Sequence, residues 1–247
     1  LWPMLLARSP APRLLVNARL SARSAGRWAR VRPLAKAMLR RFERILAQSE
    51  ADAERLRALG AGCVETPGNL KDAAPPLPVD PGELARWRAA VAGRRVWIAA
   101  STHPGEDALV AAADMSLRAR FPELLTLLVP RHPERAEAVA QHLDRPDLSR
   151  WSTIEHPGAA TGILLVDRFG ALGLFYRLAE VAFVGGSLVP HGGQNPLEPA
   201  RLARPVLFGP HMANFDEVAT ALRAAGGARA VTADDLAAAV GAWLADA

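Results

Sequence analysis

Several residue types are scarce in this sequence of 247 residues, and each shortage excludes a class of protein. The single cysteine, Cys63, excludes an intrachain disulfide and fits a reducing compartment. A helix needs about 18 consecutive apolar residues to cross a bilayer, and no run approaches that length. No signal peptide opens the chain. Aromatic residues make up 6% and do not interleave with the basic ones, which argues against a nucleic-acid partner.

Lysine is also nearly absent. Of the 30 basic residues only Lys36 and Lys71 are lysine, and the formal net charge is +5. Arginine favours phosphate and carboxylate partners, because its planar guanidinium can pair with both oxygens of either group. The basic excess is concentrated in residues 19–44, a pattern typical either of solvated helix faces or of a surface that meets an anionic membrane or substrate.

Half of the residues are hydrophobic, and short apolar runs alternate with segments of helical periodicity. Ser49 and the acids after it are typical of a helix start, and Gly60 of a helix end. Strands that alternate with helices predict an α/β fold with a doubly wound parallel sheet. The predicted strands are residues 14–17, 44–49, 63–66, 96–101, 124–130, 162–166, 181–186 and 204–209.

A proline-rich stretch without periodicity divides this pattern. We place a first domain at residues 1–71, a linker at 72–80 and a second domain, nearly complete and Rossmann-like, at 81–247. The first part holds only about three βα repeats, few for an independent domain, and the chain opens without an initiator methionine. We therefore expect a fragment whose beginning lies upstream.

Ligands of open α/β sheets bind beyond the carboxyl ends of the strands, which selects four loops here. The last of these, GGSLVPHGGQNPLEPA at residues 185–200, is the most informative. Gly185, Gly186 and Ser187 bring little side chain to a strand end. Their N–H groups are therefore candidates for a phosphate loop.

A helix start follows in the same stretch. Asn195 suits the N-cap and Pro196 the first helical position. Glu198 would then lie in the first turn, where a carboxylate can bind a ribose diol while the helix N-terminus faces phosphate. The alternative is that Glu198 only favours the helix dipole.

Two cations are further candidates. Arg131 directly follows a buried strand and can reach a ligand phosphate or carboxylate, or instead pair with Glu134 on the surface. Lys71 would lie at the mouth between the two domains, or be a solvated lysine in a hinge. The histidines near loop ends lack metal-ligand spacing, so we predict hydrogen-bonding or structural roles for them and no metal site.

A set of ordered motifs resembles one family. The motifs are LWP (1–3), NARLSARS (17–24), GNLK (68–71), AASTHPGE (99–106), PRHPER (130–135), the stretch 185–200 and GPHMANF (209–215). Together they resemble the 3-deoxy-D-manno-octulosonic acid (Kdo) transferases of lipopolysaccharide biosynthesis. The resemblance runs from Leu1 to about Phe215.

The family implies a GT-B fold, with two Rossmann-like domains facing a cleft, of which the N-terminal one would be incomplete here. It implies inverting transfer of Kdo from the donor CMP-Kdo to a lipid A precursor, with no cofactor and no metal. It also implies a location at the cytoplasmic face of the bacterial inner membrane. Anionic lipid would then be the partner of residues 19–44.

Residue roles carry over to matching positions. The resemblance assigns CMP binding to Pro130 and Arg131, to Phe169, Gly170 and Ala171, and to Asn195, Pro196, Leu197 and Glu198. It assigns stabilisation of the transition state to Lys71.

The sequence departs from the family at two points. Ala171 stands where the family usually has a glutamate, so one CMP contact is in doubt. The family's membrane anchor and its general-base glutamate would lie upstream of Leu1. Two alternatives therefore stay open: a donor-binding fragment without turnover, and another GT-B enzyme such as a UDP-sugar epimerase.

Overall fold

The computed structural model describes residues 11–70 and 74–246. The chain divides into two compact units, Leu1–Pro75 and Pro76–Ala247. None of the helices within the described residues combines the length and the apolar character needed to cross a membrane.

The first unit contains a parallel three-stranded sheet in the order β1-β2-β3. Helix α3 begins after Ser49, whose side chain accepts a hydrogen bond from the N–H of Asp52, and Gly60 follows its end with a φ of 96°. Both helix-end predictions are confirmed. The elements are β1 (Leu14–Ala18), α1 (Ala22–Ala29), α2 (Arg32–Leu39), β2 (Arg44–Ala47), α3 (Glu50–Ala58) and β3 (Val64–Glu65).

The second unit is built on seven parallel strands in the order β10-β9-β8-β4-β5-β7-β6. Its strands are β4 (Val96–Thr102), β5 (Leu125–Pro130), β6 (Leu148–Arg150), β7 (Ile163–Leu165), β8 (Val181–Val184), β9 (Val206–Phe208) and β10 (Ala228–Ala230). Its helices are α4 (Pro81–Ala90), α5 (Glu106–Arg118), α6 (Ala136–Leu143), α7 (Leu172–Leu178), α8 (Leu197–Ala200), α9 (Asp216–Ala224) and α10 (Leu236–Asp246).

The central strands read as continuous apolar runs because the sheet is covered on both faces. Every residue of β4 is buried. Side chains alternate across the strand, so Trp97 packs in one hydrophobic cluster and Ile98 in the other. The predicted α/β class with parallel sheets is therefore what the chain forms.

Two strands have no counterpart in the sequence-based prediction. Strands β6 and β10 are three residues each and lie at the two edges of the second sheet. Their residues are mostly half-buried or exposed, and each strand carries an arginine. An edge strand of this kind lacks the apolar run that marks a central one.

The proline-rich stretch is not a free spacer along its whole length. Leu77 and Val79 pack against the hydrophobic cluster of the second unit. The Leu77 carbonyl accepts a hydrogen bond of 2.7 Å from Arg177. A Cβ atom on Gly173 would lie 2.0 Å from the carbonyl oxygen of Pro78, so α7 needs a glycine where this stretch crosses it.

We predict that Gly173→Ala lowers the free energy of unfolding by about 1–3 kcal/mol, because the added methyl group overlaps backbone. Urea denaturation followed by tryptophan fluorescence measures the change. Gly158→Ala is the matched control, since a Cβ there meets nothing within 4 Å. Equal stability of the two variants would contradict the docking of this stretch on α7.

Candidate functional site

The carboxyl ends of β4 and β8 meet where the strand order reverses, since β4 leads to β5 on one side and β8 lies on the other. Such a switch point opens a crevice in which open α/β sheets bind ligands. The loops that follow β4, β5, β7 and β8 all leave the sheet at this edge, because the strands are parallel. The candidate site is built from these loops.

A buried carboxylate joins two of the loops. Glu106, the first residue of α5, is fully buried. One of its oxygens accepts hydrogen bonds from the N–H groups of Ser187 (3.0 Å) and Leu188 (2.9 Å). The other accepts from the N–H groups of His103 (2.9 Å) and Gly186 (2.7 Å). Four backbone donors therefore satisfy one carboxylate, and the loops after β4 and β8 are tied together.

This arrangement corrects the predicted phosphate loop of Gly185, Gly186 and Ser187. The N–H of Gly185 donates to the Ala100 carbonyl at 2.8 Å, and the other two donate to Glu106. None of the three is available to a phosphate, so the prediction of a phosphate loop here is wrong. The sequence signal that could have revealed this is an acid directly after Pro-Gly at the end of a buried strand.

Close contacts, and not a ligand, explain why residues 185 and 186 are both glycine. A Cβ atom on Gly185 would lie 2.6 Å from the Ser101 carbonyl and 2.9 Å from a Glu106 oxygen. Gly186 has a φ of 65°, and its Cβ would lie 3.0 Å from the ring of His103. Both positions need glycine because the end of β4 and the Glu106 carboxylate approach the backbone closely.

The loop after β5 is anchored to the end of β4. The N–H of Arg131 donates to the Thr102 carbonyl at 3.0 Å, and the Arg135 guanidinium donates to the same oxygen at 3.1 Å. Arg135 also pairs with Asp107, which accepts a hydrogen bond from the Thr102 hydroxyl. The backbone at Arg131 is thereby fixed at the crevice.

The Arg131 side chain is exposed, whereas Pro130 before it is buried in β5. In the part of the chain that the structure describes, no ion pair joins Arg131 to Glu134, whose partner is His132 at 3.4 Å. The surface-pair alternative for Arg131 is thus not what the structure forms. Its exposed side chain follows the carboxyl end of β5.

Helix α8 carries the predicted ribose-binding acid. The side-chain oxygen of Asn195 accepts a hydrogen bond of 3.1 Å from the N–H of Leu197, and its amide donates to Glu198 at 3.3 Å. The helix begins at Leu197, one residue later than predicted, with Pro196 at the cap position. Glu198 is half-buried and held by Asn195.

A buried phenol lies close to Glu198. Burial raises the pKa of Tyr176 well above its ordinary value, and the negative charge of Glu198 raises that pKa further. Tyr176 belongs to α7, which the loop after β7 leads into. Glu198 is therefore coupled electrostatically to the element behind the β7 loop.

The three positions from Phe169 to Ala171 differ in what they present. Phe169 is 78% exposed, while Ala171 is 4% exposed and caps α7. Gly170 between them has a φ of 85°, which a glycine adopts without strain. Only Phe169 offers a side-chain surface to a ligand, and Ala171 contributes backbone alone.

Lys71 lies outside the described residues. Among the residues that are described, no group of three or more histidine, cysteine, aspartate or glutamate side chains is arranged to hold a metal ion. The structure thus brings Arg131, Phe169 and Glu198 to the same sheet edge.

Comparison with known proteins places this geometry in context. A family model described as 3-deoxy-D-manno-octulosonic-acid transferase (kdotransferase) matches residues 1–74. The 3-deoxy-D-manno-octulosonic acid transferase of Haemophilus influenzae is 40% identical over 239 residues, covering 88% of this chain and 53% of the relative. That of Bordetella pertussis is 38% identical over 237 residues, covering 92% of this chain and 55% of the relative.

The C-terminal CMP-Kdo binding domain of WaaA from Acinetobacter baumannii superimposes with a TM-score of 0.63 and 32% identity, covering 67% of this chain and 89% of that domain. This chain belongs to the 3-deoxy-D-manno-octulosonic acid transferase family. Anabaena HepE, solved with UDP and glucose, shares the fold at a TM-score of 0.55 and 16% identity, covering 98% of this chain and 64% of HepE. The similarity to these two structures confirms that this chain has the predicted α/β fold of the GT-B class. The chain spans about half the length of the curated relatives it matches.

We predict that Glu106→Gln lowers the free energy of unfolding by about 3 kcal/mol, because an amide NH2 would face two of the four backbone donors and leave them without an acceptor. Urea denaturation measures the change. The control is Glu217→Gln, which alters an exposed acid in the first turn of α9. If both variants unfold like the wild type, Glu106 does not hold the two loops.

Proposed function

We propose that this chain provides the donor side of a glycosyltransferase that transfers Kdo from CMP-Kdo to a lipid A precursor in lipopolysaccharide biosynthesis. The observation that carries the proposal is the similarity of the second unit to a CMP-Kdo binding domain, at 32% identity over 89% of that domain. The Arg131, Phe169 and Glu198 side chains at the switch point support it. They offer a cation, an aromatic face and a carboxylate to one nucleotide.

Each side chain suits a different part of CMP. The Glu198 carboxylate, held by Asn195, can accept hydrogen bonds from both ribose hydroxyls. The exposed Phe169 ring offers a face on which a base can stack. The Arg131 guanidinium can pair with two phosphate oxygens.

The proposed reaction is an inverting displacement. The primary hydroxyl of the acceptor attacks the anomeric carbon of Kdo, and CMP leaves with the bonding electrons. Cations beside the leaving phosphate stabilise the charge that develops, which is the role proposed for Arg131 and, by resemblance, for Lys71. Positioning and electrostatics of this kind require neither a metal nor a cofactor. The proton of the hydroxyl passes to a general base, a role that the resemblance gives to a glutamate of the family.

A second function for the isolated chain is donor binding without turnover. The coverage of only about half of each relative's length favours it, because the resemblance gives the general base to a part of the family that this chain does not match. Incubation with CMP-Kdo and lipid A precursor separates the two functions. Product forms only if the chain itself catalyses transfer.

We expect the chain to bind CMP more tightly than UDP in a calorimetric titration, since the donor is a cytidine nucleotide. Glu198→Ala should weaken CMP binding by about 1.5–3 kcal/mol, the range for a hydrogen bond to a charged group. The Glu217→Ala variant, in an exposed helix start, should bind as the wild type does.

Preference for UDP in the same titration would contradict the Kdo assignment and favour a UDP-sugar enzyme. Unchanged CMP affinity in Glu198→Ala would make Glu198 a helix-capping acid only. The two outcomes test the substrate and the residue separately.

We also propose that the intact protein works at the cytoplasmic face of the bacterial inner membrane, with α1 and α2 toward anionic lipid. No residue of α1 is buried, and Arg23, Arg27 and Arg30 recur at helical spacing. In the described part of the chain, Arg27, Arg30 and Arg32 are exposed and make no ion pair. An unpaired basic face of this kind attracts anionic headgroups.

The triple charge reversal of Arg27, Arg30 and Arg32 to glutamate should reduce co-sedimentation with anionic liposomes at moderate salt. Each basic residue near such a surface contributes about 1 kcal/mol. A matched reversal at Arg88, Arg223 and Arg229, three exposed arginines of the second unit, changes the net charge equally. Equal binding by both triple variants would contradict a membrane-facing role for α1.

A further inference from the structure

Three histidines from three loops converge at the switch point, and we call them the histidine cluster. His103 follows β4, His132 follows β5 and His191 lies in the loop after β8. The rings of His103 and His191 stack with centroids 3.8 Å apart at 35°, and the His132 ring is edge-on to His103 at 6.3 Å. Nothing in the proposed roles of Arg131, Phe169 and Glu198 uses this cluster.

The stacked pair has a polar partner but no acidic one. The Gln194 side-chain amide lies 3.0 Å from Nε2 of His103, and the tautomer of the ring decides which group donates. Within the described residues, neither His103 nor His191 forms an ion pair, whereas His132 pairs with Glu134. Two imidazoles thus lie together without a carboxylate that would hold them protonated.

Burial lowers the pKa of His103, and the adjacent His191 lowers it further. His132 and Arg135 act in the same direction, and the negative charge of Glu106 opposes them. The Glu106 carboxylate already accepts hydrogen bonds from four backbone N–H groups, and the Arg135 guanidinium already pairs with Asp107. An anion brought to the rings would oppose the lowering, because it stabilises the protonated imidazole.

The cluster is open to ligands on one side. His103 is 4% exposed, but His191 lines a cleft of about 600 Å³ together with Pro190, His211, Asn214 and the acid Asp216. A volume of that size lies within the range of small-molecule sites. His191 therefore forms part of the wall of a cleft large enough for a sugar, and His103 lies against its ring.

The cluster also adjoins the proposed nucleotide site on two sides. His132 follows Arg131 directly, and Gln194 precedes Asn195, the residue that holds Glu198. A nucleotide held by Glu198 and Arg131 would extend its phosphate and the attached sugar along these neighbours. The donor is doubly anionic there, because CMP-Kdo carries a phosphate and a sugar carboxylate next to the anomeric carbon.

We infer that His103, His191 and Gln194 form an anion subsite that binds an oxyanion of the donor, either the nucleotide phosphate or the sugar carboxylate. The inference rests on the proposed function and adds a site to it. The role is binding: His191 meets the oxyanion from the cleft, and Gln194 fixes the ring of His103 behind it.

Calorimetric titration of the whole chain with cytidine, CMP and CMP-Kdo tests the subsite. His191→Ala should bind cytidine as the wild type does and lose about tenfold or more in affinity once the recognised oxyanion is present, the scale of a charge-assisted hydrogen bond. Loss that appears at CMP identifies the phosphate, and loss that appears only at CMP-Kdo identifies the carboxylate. The control His142→Ala alters an exposed histidine of α6 and should bind all three ligands normally.

A second readout separates binding from a structural role. At pH 7 the wild type should take up protons from the buffer when the oxyanion binds, because the anion opposes the causes that lower the pKa of His103. Titration in buffers of different ionisation enthalpy measures this uptake, which should fall in His191→Ala and persist in His142→Ala.

Two results overturn the subsite. One is a His191→Ala variant that binds all three ligands like the wild type, and the other is an equal loss for cytidine, which marks a structural role. A wild type that binds none of the cytidine compounds is a different failure, since it removes the proposed function together with the subsite. Binding by the wild type with no effect of His191→Ala removes the subsite alone.

Discussion

The site depends on one buried carboxylate that accepts four backbone hydrogen bonds. Burying a charge in a protein interior is costly unless hydrogen bonds replace its lost hydration. Glu106 meets this requirement with N–H groups from two loops. One loop directly precedes α5, and the other follows β8, 80 or more positions after Glu106 in the sequence. The loops cannot move apart without exposing both the charge and its donors, and the crevice between β4 and β8 keeps one shape as a result.

This constraint decides which groups are left for a ligand. Because Glu106 and the strand pairing occupy the N–H groups at residues 185–188, recognition falls to side chains around them. Arg131, Phe169, Glu198 and the histidine cluster surround the same sheet edge from the ends of four strands. Hydrogen bonds hold two of these residues: the Arg131 backbone N–H donates to the Thr102 carbonyl, and the Asn195 side-chain amide donates to the Glu198 carboxylate. The groups proposed to bind the ligand are thus separate from the groups that hold the loops.

Much of the fold could be predicted because its signals are local. Continuous apolar runs mark the central strands, and Ser49 and Gly60 mark the ends of one helix. The edge strands β6 and β10 could not be predicted, because their residues lack an apolar run. They are strands only because they pair with β7 and β9. The same holds for Leu77 and Val79, since nothing in a proline-rich stretch indicates that α7 has a glycine to receive it.

The candidate site divides in the same way. The sequence alone determined that the backbone at Gly185 and Gly186 must be approached closely, that a capped helix start carries Glu198, and that an arginine ends β5. Only the tertiary structure decided which group approaches this backbone, because that group, the Glu106 carboxylate, comes from a different βα unit. It also decided that His103 stacks on His191, since the parallel sheet brings the ends of β4 and β8 side by side although 80 positions separate their loops. Local pattern specifies the need for a contact, and chain topology specifies the atom that meets it.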